Sequence, residues 1–104
     1  MPTNIIATAY CICHLCTKGT GLAANNLPPR EGITVAASRA IPLGTKIALT
    51  VPGAFTNRVF VVEDRLARRF DSRVDVFFAD HKRARQFGIH RDASFTILRN
   101  QTKQ

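Results

Sequence analysis

Short runs of Val, Ile, Phe and Ala, separated by turn residues, are the feature that most constrains the fold of this 104-residue chain. Six such runs predict strands, and Gly, Pro and Asn are frequent in the intervals between them. No run approaches the roughly 20 apolar residues of a membrane-spanning helix. Six short strands in so small a chain favour a closed barrel, which leaves no sheet edge unpaired. The predicted strands are residues 5–10, 33–37, 46–51, 58–63, 74–78 and 94–99.

One helix is predicted between the last two strands. Asp80 is a typical N-cap residue, and Gly88 stands where a helix C-terminus favours glycine. Together they delimit a helix over residues 81–87. We therefore expect a mainly β protein with one short helix, forming a single domain over residues 1–104.

The charge of the chain narrows the classes of partner. It has 15 Lys and Arg against 7 Asp and Glu, a net charge of +8, which favours polyanions such as anionic cell-wall polymer. Nucleic acid is disfavoured, because no basic stretch alternates with aromatic residues as in a single-strand-binding groove. Residues 1–6 have neither a basic region nor a long apolar core, so we do not expect them to form a signal peptide.

Two aspartates, Asp64 and Asp75, are the strongest chemical signal. Asp64 follows Glu63 after an apolar run, and Asp75 stands between two valines. Burial would raise the pKa of such a carboxyl, which suits a general acid near neutral pH. Alternatively, Asp75 points outward on a half-exposed strand or pairs with Arg73 or Arg69. Arg73 is predicted on the same strand face as Asp75, where it would either lower the pKa of Asp75 or hold a substrate.

Three cysteines, Cys11, Cys13 and Cys16, lie within six residues. With one histidine they would supply four ligands to a structural Zn²⁺ ion, although the single residue between the first two is tighter than the usual zinc knuckle. A disulfide, or plain thiols in a tight turn, is the favoured interpretation. The candidates for the fourth Zn²⁺ ligand are His14, His81 and His90.

The order of motifs along the chain resembles that of the 3D, or three-aspartate, domain family. Residues 8–10 (Thr-Ala-Tyr) are followed at once by a cysteine, and residues 41–45 are Ile-Pro-Leu-Gly-Thr. The pair at residues 63–64 (Glu-Asp) comes next, and Asp75 follows Asp64 by the family's eleven positions. A helix that begins with His and ends in Phe-Gly, residues 81–88, completes the set.

The resemblance spans residues 7–98 and implies a small six-stranded double-psi β-barrel. Lytic transglycosylases on this barrel cleave peptidoglycan between N-acetylmuramic acid and N-acetylglucosamine and leave a 1,6-anhydro product. Asp75 matches the aspartate that gives a proton to the glycosidic oxygen and takes one from the muramic acid 6-hydroxyl. Asp64 matches its neighbour, which stabilises developing positive charge or tunes the acid. No metal or other cofactor is implied.

The resemblance also suggests the expected partners. Peptidoglycan glycan strands are the expected substrate of a monomeric protein acting at the cell wall or in the periplasm. The residues expected to contact the substrate are Tyr10, Arg73 and His81.

Three departures from the family pattern leave a second interpretation open. Ala37 stands where the family has its first aspartate, and residues 66–67 (Leu-Ala) replace a Gly-Gly pair. Residues 23–26 (Ala-Ala-Asn-Asn) stand in place of a Thr-Ala-Ser-Gly loop. The alternative is a non-catalytic barrel that binds polysaccharide or another polyanion.

Overall fold

The structure, a computed structural model, describes residues 3–11, 22–66 and 72–100. Within them the chain forms six strands and one helix, α1, which lies between the fifth and sixth strands. The elements are β1 (Thr3–Tyr10), β2 (Thr34–Ala37), β3 (Thr45–Val51), β4 (Phe55–Arg65), β5 (Arg73–Phe77), α1 (His81–Phe87) and β6 (His90–Asn100).

The strands close into a mixed barrel in the order β1-β5-β2-β4-β3-β6. The pairs β1–β5 and β2–β4 are parallel, and the other four pairs are antiparallel. Exchanging β1 with β4, β2 with β5 and β3 with β6 reproduces every pair and its direction. The closed six-stranded barrel with one short helix is confirmed, and the two-fold arrangement of its pairings agrees with the expected double-psi type.

The barrel interior is filled by alternate residues of the strands. On β3, Ile47, Leu49 and Val51 are fully buried while the residues between them are half-exposed. This period-two pattern places every second side chain inside. Phe60 and Val62 of β4 pack into the same core.

All six predicted strands are present, and β4 and β6 exceed their predicted lengths the most. β4 begins at Phe55 and β6 at His90, each before its apolar run starts. The added residues are mostly polar and are held by antiparallel pairing, with β3 for β4 and with β1 for β6. Apolar content alone therefore underestimated both strands.

The helix has the predicted bounds and ends. The Asp80 side chain accepts a hydrogen bond from the backbone N–H of Lys82, and Gly88 takes a positive φ of 73° at the C-terminus. α1 has seven residues, far fewer than a helix needs to cross a bilayer, and the described residues contain no membrane-spanning helix.

Candidate active site

Four side chains form one row across adjacent strands on the outer face of the barrel. Thr8 of β1 is in register with Asp75 of β5, Asp75 with Ala36 of β2, and Ala36 with Asp64 of β4. Residues directly opposite each other on neighbouring strands point to the same face. The valines on either side of Asp75 belong to the core, so the row faces away from it. The two aspartates are two strand spacings apart, about 10 Å between Cα atoms.

A β-bulge in β4 orients the Asp64 side chain toward this row. Val35 pairs with Val62 and Ala36 pairs with Asp64, so Glu63 is an extra residue in β4 with no partner on β2. Bulges of this kind redirect the side chains that follow them and are common beside active sites. The Glu-Asp pair of the sequence motif is therefore a bulge followed by a site residue.

The bulge residue Glu63 anchors a buried hydrogen-bond network. Its carboxylate accepts hydrogen bonds from Nη2 of Arg30 and from Oγ1 of Thr34, both at 2.6 Å. Glu63 is only 9% exposed, and the guanidinium of Arg30 supplies the opposite charge that a buried carboxylate requires. The network fixes the start of β2 against the bulge that positions Asp64.

Asp64 is held by three hydrogen-bond donors. The phenol of Tyr10 donates to Oδ2 at 2.9 Å, and the backbone N–H groups of Ala24 and Arg65 donate to Oδ1 at 3.0 and 2.9 Å. Because β5 and β2 lie between β1 and β4, the bond from Tyr10 bridges two strands. Burial, together with the charge of Asp64, raises the pKa of the Tyr10 phenol, so it stays a donor.

Asp75 has a different environment from Asp64. The structure shows no hydrogen bond from the described residues to its carboxylate. The pKa of Asp75 is raised to about 6 as the net result of three effects. Burial raises it most, the charge of Arg73 lowers it, and the charge of Asp64 raises it. Desolvation therefore outweighs the charge of Arg73, and the net shift of the Asp75 pKa is upward. The sequence alone had left the direction of this shift open. At a pKa of about 6, Asp75 keeps a far larger protonated fraction near neutral pH than a solvated aspartate does, as a general acid requires.

The other residues predicted for the site are only partly brought together. Tyr10 lies at the row, through its bond to Asp64, and Arg73 acts on Asp75 by its charge. His81 lies instead against Cys11, with Nδ1 at 3.4 Å from Sγ.

Ala37, the position of the missing family aspartate, is 1% exposed and packs in the core. An aspartate introduced at this position would therefore be buried among apolar side chains instead of joining the row.

The proposed metal ligands are only partly within the described residues. Cys11 is fully buried beside His81, and His90 contacts the Phe87 backbone oxygen through Nε2 at 2.6 Å. In residues 3–11, 22–66 and 72–100, no group of three potential ligands could hold a metal ion. The remaining predicted residues, Cys13, His14, Cys16 and Arg69, lie outside the described residues.

Sequence reasoning missed Thr8, Ala24 and Ala36 as site residues. Thr8 is 7% exposed, and its hydroxyl has no hydrogen-bond partner among the described residues. Ala24 contributes only its backbone, and Ala36 contributes only its small size. The identity of these residues gives no indication of their roles, because each role depends on strand register or on the position of a loop.

Comparison of the chain with known protein families, curated proteins and solved structures found no match. The likeness to the 3D family therefore stays a prediction that rests on the quoted motifs.

Proposed function

We propose that this barrel cleaves peptidoglycan glycan strands as a lytic transglycosylase, with Asp75 as the acid and then the base. The observation that carries the proposal is the buried Asp75 carboxyl, whose pKa is raised to about 6, in one row with a second carboxylate. The ordered motifs, above all the eleven-residue spacing from Asp64 to Asp75, support the same chemistry.

In this mechanism protonated Asp75 gives its proton to the glycosidic oxygen as the bond to the muramic acid anomeric carbon breaks. Positive charge develops on the sugar ring, and the Asp64 carboxylate stabilises it. The Asp75 carboxylate then takes the proton of the muramic acid 6-hydroxyl, whose oxygen bonds to the anomeric carbon. The product is a 1,6-anhydro sugar, no water is consumed, and Asp75 ends in its starting protonated form.

The roles of the two aspartates follow from their surroundings. A general acid has to hold a proton before reaction, which the desolvated environment of Asp75 favours. A charge-stabilising group has to stay negative, and three donors around Asp64 favour that state. The small side chain of Ala36 separates the two in the row.

The second candidate function is a barrel that binds glycan or another polyanion without cutting it. Ala37 in place of the family's first aspartate, together with the net charge of +8, favours this alternative. The setting proposed for both functions is the cell wall or the periplasm.

One digestion experiment separates the two candidates. The protein and its Asp75→Asn variant are incubated with purified peptidoglycan, and the soluble fragments are analysed by mass spectrometry. We expect 1,6-anhydro-muramic fragments from the parent protein and none from the variant. Fragments with reducing ends would show hydrolysis by water. Retention on the polymer without any fragments would leave the binding function.

A further inference from the structure

We propose that a cavity lined by residues of β4, β5 and α1 binds the carboxylate-bearing peptide stem of peptidoglycan, an assignment that rests on the proposed function. The cavity has a volume of about 320 Å³, within the range of small-molecule sites. Val76 and Phe77 line it and directly follow Asp75, so their Cα atoms lie within about 7 Å of the Asp75 Cα along β5. The side chains that define its chemistry are Phe55, Phe60, Phe78, Arg58, Arg83 and Glu31.

Two guanidinium groups lie over aromatic rings of the cavity. The Arg58 guanidinium is 5.4 Å from the centre of the Phe60 ring and 5.8 Å from that of Phe55. The Arg83 guanidinium is 5.5 Å from the centre of the Phe78 ring. These distances are typical of cation–π contacts, which hold the charged groups at the cavity lining.

The two arginines differ in their counter-charges. Arg83 forms an ion pair with Glu31, whose pKa is lowered first by the hydrogen bond from the backbone N–H of Ala79 and also by Arg83. Arg58 also lowers the pKa of Glu31 by its charge, but no carboxylate in the part of the chain that the structure describes lies within salt-bridge distance of it. Its planar guanidinium therefore keeps donors available for an incoming carboxylate.

The ligand class follows from this combination. A neutral sugar stacks on an open aromatic face, but here guanidinium groups lie over the rings of Phe55, Phe60 and Phe78. The cavity suits a small apolar group that carries a carboxylate. In peptidoglycan such groups occur on the peptide stem, which is attached to the muramic acid unit at the bond that Asp75 is proposed to cut.

A comparison of two polymers tests the subsite. One is intact peptidoglycan, and the other is the same glycan after an amidase has removed its stems. For Arg58→Gln we expect KM to rise about tenfold on the intact polymer and to stay unchanged on the stem-free glycan. The matched control Arg91→Gln removes the same charge from an exposed position of β6 outside the cavity and should change neither value. Equal effects of Arg58→Gln on both polymers, or none on either, would overturn the subsite.

A binding experiment separates this proposal from the proposed activity. The tripeptide L-Ala-γ-D-Glu-L-Lys is titrated into ¹⁵N-labelled protein, and we expect shifts of the Gly32 amide and the Arg58 side chain that are lost in Arg58→Gln. This result supports the subsite even for a protein that cuts nothing. Cutting of peptidoglycan without these shifts would contradict the subsite and leave the activity intact.

A different observation carries a second proposal. Thr8 is 93% buried, its Oγ1 has no hydrogen-bond partner among the described residues, and it stands directly beside Asp75 in register. Burying a hydroxyl without a partner is costly. We infer that Thr8 is a positioning residue whose hydroxyl donates to the Asp75 carboxylate once that group has lost its proton.

Two substitutions test the Thr8 assignment. Thr8→Val keeps the shape but removes the hydroxyl, and Thr8→Ser keeps the hydroxyl. In an NMR titration of the Asp75 carboxyl carbon, we expect the midpoint to rise by about 0.5 to 1 pH unit in Thr8→Val and to stay within about 0.2 unit of the parent in Thr8→Ser. An unchanged midpoint in a folded Thr8→Val protein would overturn the assignment.

Discussion

The two halves of the row occupy equivalent places in the barrel but have opposite chemistry. In the pairing scheme, exchanging β1 with β4 and β5 with β2 brings Thr8 onto Asp64 and Asp75 onto Ala36, because Ala36 and Asp75 are register partners of each other. One half carries its carboxylate on the outer strand, β4, where three donors surround it. The other carries it on β5, beside the Thr8 hydroxyl, which has no hydrogen-bond partner among the residues that the structure describes.

This difference shows that one barrel can hold a hydrogen-bonded carboxylate, Asp64, and a carboxyl with a raised pKa, Asp75, in the same row. The donors to Asp64 stabilise the folded protein as well as the charge. The burial of Asp75 gives no such benefit, because its ionised form loses water and gains no hydrogen bond from the described residues. The surroundings of Asp64 therefore contribute to stability as well as to its proposed role, whereas only the proposed role accounts for the burial of Asp75.

The largest expected effect separates the two aspartates in catalysis. Asp75→Asn removes the proton donor, and we expect the rate of anhydro-product release to fall at least about 1,000-fold. Asp64→Asn removes only a stabilising charge, and we expect a fall of roughly 10- to 100-fold. Rates are measured by mass spectrometry on purified peptidoglycan. Equal losses in the two variants would remove the division of roles.

Stability should divide the aspartates in the opposite sense. Asp64→Ala leaves Tyr10 and two backbone N–H groups without their acceptor, and we expect it to lower the free energy of unfolding by about 3 kcal/mol. Denaturant unfolding at pH 7 measures the change. A loss below about 1 kcal/mol would mean that the three hydrogen bonds contribute little.

The stability effect of Asp75→Asn should depend on pH. The pKa of Asp75 is 3.8 in an unfolded chain and about 6 in the folded protein, so the parent loses stability as the pH rises from 4 to 6. Asparagine does not ionise and avoids this loss. We expect the variant to match the parent at pH 4 to within about 0.5 kcal/mol and to exceed it by about 3 kcal/mol at pH 8. A variant less stable than the parent at pH 8 would contradict the burial argument.

Tyr10→Phe should give the smallest effect. It removes one of three donors to Asp64 and leaves the ring contact with Phe77 in place. We expect a loss of about 1 kcal/mol in the free energy of unfolding. Chemical denaturation, with the Asp64→Ala variant as the upper limit, measures it. A loss as large as that of Asp64→Ala would mean that the phenol provides most of the network's stability.

Local signals in the sequence were enough to predict the strands and the helix. Asp80 and Gly88 delimit α1 because capping depends on residues close in sequence. The polar ends of β4 and β6 were missed because pairing with distant strands forms them. The two-fold arrangement of the strand pairings is not visible as a repeat in the sequence. Equivalent core positions in the two halves need only be apolar, and they need not carry the same residue.

The site was predictable to the extent that its residue types are chemically distinctive. Two aspartates in apolar segments were the signal for the proposed acid and its partner, and the structure brings both into one row. The dominance of burial over Arg73 at Asp75 could not be predicted, because it depends on how the strands enclose the carboxyl. The contacts of Thr8 and Ala36 depend on register, which a single sequence does not contain.

The measurement that tests the central claim most directly is an NMR titration of the Asp75 carboxyl carbon in the intact protein, assigned with Asp75→Asn. The account predicts a midpoint near pH 6, since desolvation outweighs the charge of Arg73. A midpoint at or below about 4, the range of a solvated aspartate, would contradict it.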